Sequence, residues 1–159
     1  MGPINIFIHE LGHATGILLT MKEREANLFL GAPNSRSCLK FKIGRVNFHI
    51  RIASEGFCYI KKEESDESVE KVTPIKEIII MASGPIFSFM AAFLALILSY
   101  YIEGNFKRLV VAFAILSFAT FINTAIPHRY KSRNKYLNGI KSDGLVIKEI
   151  LRKNKEKSV

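Results

Sequence analysis

Apolar residues recur along the chain in two rhythms, long uninterrupted runs and a short alternation, and each predicts a different kind of element. Residues 78–102 and 109–127 contain no Asp, Glu, Lys, Arg or His. Each is long enough to cross a hydrocarbon core of roughly 30 Å, so both are expected to be transmembrane helices. A soluble core large enough to bury both is hard to build from 159 residues. Residues 1–21 form a third run of similar length, interrupted in its middle by His9, Glu10 and His13. Ionisable groups at membrane depth are costly and mark function. This run has neither a basic n-region nor a small-residue cleavage site, so it reads as mature structure rather than a signal peptide. Only eight residues precede His9, which is short for the outer half of a spanning helix. The first helix is therefore expected to be partly inserted or to begin further upstream. The expected fold class is an α-helical multi-pass membrane protein with a three-transmembrane-helix core.

Between the first two runs the rhythm drops to period two. Leu39, Phe41 and Ile43 alternate with Lys40 and Lys42; after Gly44-Arg45, Val46, Phe48, Ile50 and Ile52 alternate with Asn47, His49 and Arg51. This predicts a hairpin with one apolar face inside residues 38–60, which Phe57, Tyr59 and Ile60 are expected to extend. A bare hairpin is marginal in water, so it should lean on the helices or on the membrane surface. A turn is expected at Gly31-Ala32-Pro33-Asn34-Ser35. Residues 61–77 are dense in charge and lack aromatics, as in a solvated linker, with a regulatory partner-binding segment as the alternative. Residues 128–142 form a basic loop, and a short helix over 143–153 is expected to follow. All of this is read as one domain, 1–159.

Composition alone, 48% hydrophobic beside 23% charged, would suit an ordinary soluble protein, and the net charge of +9 would suit a nucleic-acid binder. The positions of the 23 Lys and Arg argue otherwise. Eleven lie between Lys22 and Lys76, two at Lys107 and Arg108, and ten between Arg129 and Lys157. The positive-inside rule then places residues 22–77 and the C-terminus in the cytoplasm of a cell-membrane protein. The basic helix flanks suit anionic headgroups of the lipid bilayer. No RNP, zinc-finger or helix-turn-helix signature is present, so no nucleic-acid partner is expected. Cys38 and Cys58 would sit on the reducing side as free thiols.

His9-Glu10-Leu11-Gly12-His13 is an HExxH motif. On a helix the two histidines share a face and can bind one Zn²⁺, while Glu10 can reach a water beside it. Such a site needs a third ligand. Glu103 lies on the outer loop and Glu77 precedes the second long run, which makes Asp143 the best acid for the task. Ser142-Asp143-Gly144 also reads as a helix N-cap with its first turn, the commoner use of such a triplet. His128 and His49 are rival ligands, though a lone His near a basic loop is more often a surface or headgroup residue.

HELGH, then Ser83-Gly84-Pro85-Ile86-Phe87-Ser88, then Asn123-Thr124-Ala125-Ile126-Pro127, then Ser142-Asp143-Gly144 resembles, in that order, the site-2 protease (M50) family of intramembrane zinc metalloproteases. The resemblance runs from residue 5 to about residue 150. It implies His9, His13 and Asp143 as metal ligands, Glu10 as the catalytic acid/base, and Asn123 as a hydrogen-bonding catalytic residue. It also implies a site-2-protease-like core with a small cytoplasmic-side sheet between the first two helices, whose exposed edge could bind an extended substrate. Ser88 departs from the pattern, standing where many members carry Asn, and Asp143 follows Asn123 by twenty positions, a long spacer. The function implied is zinc-dependent cleavage of a membrane-embedded or membrane-proximal protein. The alternatives are a non-proteolytic membrane metal-binding or interaction protein of the same fold and a basic membrane-surface adaptor. Substrate, cleavage site and oligomeric state are not legible.

Overall fold

The computed structural model describes residues 2–31, 38–51, 55–61, 72–131 and 138–156. Their order is α1 (Pro3–Thr20), β1 (Ala26–Leu30), β2 (Leu39–Ile43), β3 (Val46–Ile50), β4 (Gly56–Ile60), α2 (Pro74–Tyr100), α3 (Gly104–Ala125) and α4 (Asp143–Glu156). Residues 32–35 of the expected turn, Ile52, residues 62–71 of the linker and residues 132–137 of the basic loop lie outside the described residues.

Pro3 suits the first turn of α1, where its missing N–H costs nothing. At the other end the helix carbonyls would be orphans, and Arg45 takes them up. Its Nη2 donates to the Leu18 carbonyl at 3.0 Å and its Nη1 to that of Met21 at 2.8 Å, with the Lys22 carbonyl also bonded. Arg45 belongs to the β2–β3 turn, so this hairpin is fastened to the end of α1. Gly44, at φ +56°, supplies the left-handed residue that the tight turn requires.

The expected hairpin forms, with Leu39, Phe41 and Ile43 opposite Ile50, Phe48 and Val46. It is half of a larger element. The strand order is β2-β3-β1-β4, with β1 parallel to β3 and antiparallel to β4. The sheet lays Ala26, Leu28, Val46 and Phe48 against Ala14, Ile17 and Met21 of α1, and Ile80 of α2 closes the cluster. β2 overhangs this core, leaving Leu39 66% and Ile43 64% exposed.

The two long apolar helices begin earlier than the uncharged runs suggest. Thr73 caps α2 by accepting the Lys76 N–H, and Pro74 follows at the first helical position, so α2 takes up the end of the expected linker. α3 starts at Gly104 and carries Lys107 and Arg108 in its first turns. Phe89, Met90, Phe93 and Leu94 of α2 and Leu109, Ile115, Leu116 and Phe118 of α3 are exposed. An apolar face of this extent is what lipid would cover.

The three-transmembrane-helix core is not what forms. Among the described residues only α2 and α3 are long and apolar enough to cross a membrane. α1 has 18 residues and buries Asn5, His9, Glu10 and His13. Its polar groups face protein: α2 lies on one side and the sheet on another. The approach to α2 is close because two glycines permit it. A Cβ on Gly12 would fall 2.5 Å from the Ser83 carbonyl oxygen, and one on Gly16 would fall 2.3 Å from Ser83 Oγ. Small residues four apart allow such backbone contact between helices. Asn5 Nδ2 adds a 2.6 Å hydrogen bond to Ser117 Oγ of α3. The architecture is thus four helices and a four-stranded mixed sheet, with α1 held between protein layers.

Candidate metal centre

One turn of α1 separates His9 from His13 and puts both on the face toward α2. Their rings stand nearly perpendicular with centroids 4.7 Å apart, and the two Nε2 atoms are separated by 3.1 Å. Asp143 reaches the same point from the far end of the chain. Its Oδ2 is 3.1 Å from His9 Nε2 and its Oδ1 is 3.5 Å from His13 Nε2.

Ser142 brings the aspartate there. Its hydroxyl donates to the Ile126 carbonyl at 2.7 Å and accepts the His128 N–H at 3.0 Å, which clasps the chain to the end of α3. The same oxygen accepts the Leu145 N–H at 3.3 Å, as a helix N-cap does. The N-cap and metal-ligand readings of this triplet are therefore compatible: Ser142 caps α4 while Asp143, one residue on, faces the histidines. Gly144 then packs against the Ala125 carbonyl.

The residues fit a metal ion. His13 Nδ1 lies 2.7 Å from the Ile80 carbonyl, which can only accept, so Nδ1 carries the hydrogen and Nε2 presents a lone pair. Asp143 Oδ2 is buried and receives no hydrogen bond, a costly arrangement unless a cation meets it. A tetrahedral ion bonded at about 2.0–2.1 Å would hold its ligands roughly 3.3 Å apart. The two Nε2 atoms, 3.1 Å apart, are close to that spacing, and the Asp143 carboxylate comes near it through a different oxygen for each histidine, Oδ2 at 3.1 Å from His9 and Oδ1 at 3.5 Å from His13. His9, His13 and Asp143 together could hold a metal.

Two glycines make room for the side chains. The His13 imidazole lies over Gly84, where a Cβ would come within 2.4 Å of Nε2. Glu10 is buried beside the first strand residue of β4, and a Cβ on Gly56 would fall 2.6 Å from Glu10 Cγ. Asn123 is placed near the end of α3, where its Nδ2 is 3.5 Å from the Tyr130 hydroxyl. It is not one of the three grouped residues. Tyr130 itself went unnoticed in the sequence, since a tyrosine in a basic loop carries no motif. Burial, with Asp143 and Glu10 close enough to add to it, pushes its phenol up to about 12. The rival histidines are occupied elsewhere. His128 Nδ1 bonds the Ile126 carbonyl at 2.9 Å, and His49 stacks on Phe29 with centroids 4.3 Å apart.

An HExxH pair grouped with a distant aspartate, beside two apolar helices, has the donor set that a metallopeptidase site requires. The description "Peptidase family M50" matches residues 3–157, and the chain belongs to that family. No curated protein and no solved structure matches. Membership implies zinc metalloprotease activity and an association with membranes.

Proposed function

We propose that the chain is a zinc-dependent endopeptidase that cleaves membrane-embedded or membrane-proximal proteins, with His9, His13 and Asp143 as ligands. The observation that carries this reading is the grouping of their donor atoms within 4.8 Å of one another, with Asp143 Oδ2 buried without a hydrogen bond and Glu10 one residue from the first histidine. Zinc held there supplies Lewis acidity, which makes water a nucleophile near neutral pH and polarises a peptide carbonyl. Glu10 takes a proton from the attacking water as its oxygen bonds to the carbonyl carbon. The same carboxyl returns that proton to the amide nitrogen as the C–N bond breaks. Asn123 is the proposed hydrogen-bond donor to the substrate, and Tyr130 orients its amide.

The distribution of Lys and Arg supports a cytoplasmic position for residues 22–77 and the C-terminus. On that topology His13, packed on Ile80 and Gly84, lies roughly 10–15 Å in from the first residue of α2. Water can reach that depth from the cytoplasm while protein shields the site from lipid. Purified protein is expected to carry about one equivalent of zinc, lost in His9→Ala and His13→Ala. Glu10→Gln should keep the metal and cleave nothing. Full zinc content in both histidine variants would overturn the reading.

A further inference from the structure

The two histidines are held from behind in different ways. His13 bonds a main-chain carbonyl, which no side-chain substitution removes. His9 bonds a side chain: its Nδ1 lies 3.1 Å from Ser88 Oγ, with both residues buried and Ser88 only 1% exposed. The direction of this bond follows from the serine's other partner. A hydroxyl has one hydrogen to give, and the Gly84 carbonyl, one turn earlier in α2, lies 3.3 Å from Ser88 Oγ in position to accept it. With that hydrogen committed, the oxygen turns its lone pairs toward His9, and the imidazole donates. His9 is then the Nδ1–H tautomer, and its Nε2 lone pair faces His13 Nε2 and Asp143 Oδ2, each 3.1 Å away. The other tautomer would place a hydrogen among the converging donors and leave a bare Nδ1 opposite an oxygen with none to offer.

We propose that Ser88 is a positioning residue of the metal centre: its hydroxyl, relayed to the Gly84 carbonyl, locks His9 in the Nδ1–H form and aims Nε2 at the ion. This rests on the zinc-site reading above. It assigns a use to the Ser88 position, where the resemblance leads one to expect Asn.

The test compares wild type with Ser88→Ala, Ser88→Thr and Ser99→Ala. Ser99 is also a buried serine of α2, and its hydroxyl bonds the Leu96 carbonyl at 2.6 Å. Zinc affinity is measured by competition with a chromophoric chelator, and the His9 tautomer by ¹⁵N spectra of the metal-free protein at neutral pH. Ser88→Ala is expected to bind the same amount of zinc about tenfold to a hundredfold more weakly and to lose the Nδ1–H preference. Ser88→Thr should recover the tautomer and an affinity within about threefold of wild type, and Ser99→Ala should change neither. Three results would each overturn the proposal. These are wild-type affinity in Ser88→Ala, an Nδ1–H tautomer that persists without the hydroxyl, and a loss in Ser88→Thr or Ser99→Ala as large as in Ser88→Ala, which would assign the effect to packing. If wild type takes up no zinc, the proposed function fails. The tautomer comparison in the metal-free protein then decides the role of Ser88 by itself: a difference between wild type and Ser88→Ala supports it, and identity overturns it.

Discussion

Gly144 lies so close to Ala125 that a Cβ on it would fall 1.8 Å from the Ala125 carbonyl oxygen. The start of α4 thus rests on the end of α3 backbone to backbone, and Asp143 is aimed from that contact.

Gly144→Ala is expected to push the two helices apart, weaken zinc binding by at least about tenfold and lower stability by about 1–3 kcal/mol. Equilibrium zinc competition and denaturant unfolding in detergent check both numbers. Unchanged zinc affinity would mean that the α3–α4 contact does not set the carboxylate.

Gly84→Ala and Gly56→Ala should part company. The first methyl would strike the His13 imidazole and the second would strike Glu10 Cγ. Zinc loss is therefore expected from Gly84→Ala. From Gly56→Ala the expected result is retained zinc with slowed cleavage. Metal analysis paired with a cleavage assay separates them, and zinc loss from Gly56→Ala would contradict the placement of Glu10.

Arg45→Ala should leave the C-terminal carbonyls of α1 without their charged donor and detach the β2–β3 turn. A loss of about 2 kcal/mol is expected, of the order given by hydrogen bonds to charged groups. Arg45→Lys should recover little of it, because an ammonium cannot reproduce the guanidinium fork. Unfolding midpoints of the three proteins decide the matter.

Glu25 accepts hydrogen bonds from Lys42, Asn47 and Lys61, which lower its carboxyl from 4.5 to about 2. The folded pKa is depressed, so the stabilisation is complete above about pH 4.5 and disappears as pH falls toward about 2. Glu25→Gln should flatten that part of the stability profile measured from about pH 6 down to about pH 3. An unaltered acid limb would show that the three partners do not act on this carboxylate.

What could be read in the sequence was mostly local. The HExxH pair depends only on helical spacing, and the β2–β3 hairpin on strict alternation around Gly44-Arg45. β1 was hidden because Phe29 breaks the alternation of Ala26, Leu28 and Leu30, and because its central place depends on a parallel pairing with β3. The third membrane helix was misread for a different reason. Counting apolar residues measures distaste for water and cannot tell whether lipid or protein replaces it. Gly12 and Gly16 mark the face of α1 that packs on another helix, which holds inside a membrane as well as outside it. The helix ends were missed where charged residues continue the backbone pattern, as Lys107 and Arg108 do in α3. Elimination left Asp143 as the best acid, spacing alone favoured a cap, and the resemblance decided between the two readings. The fold makes room for both because Ser142 does the capping.

The cluster at His9, His13 and Asp143 also has an order in time. Translation delivers the two histidines with α1 and the aspartate only after both long apolar helices have been made. A ribosome-bound nascent chain therefore holds only two of the three grouped residues throughout synthesis of α2 and α3. The group is complete only when α4 arrives beside α3.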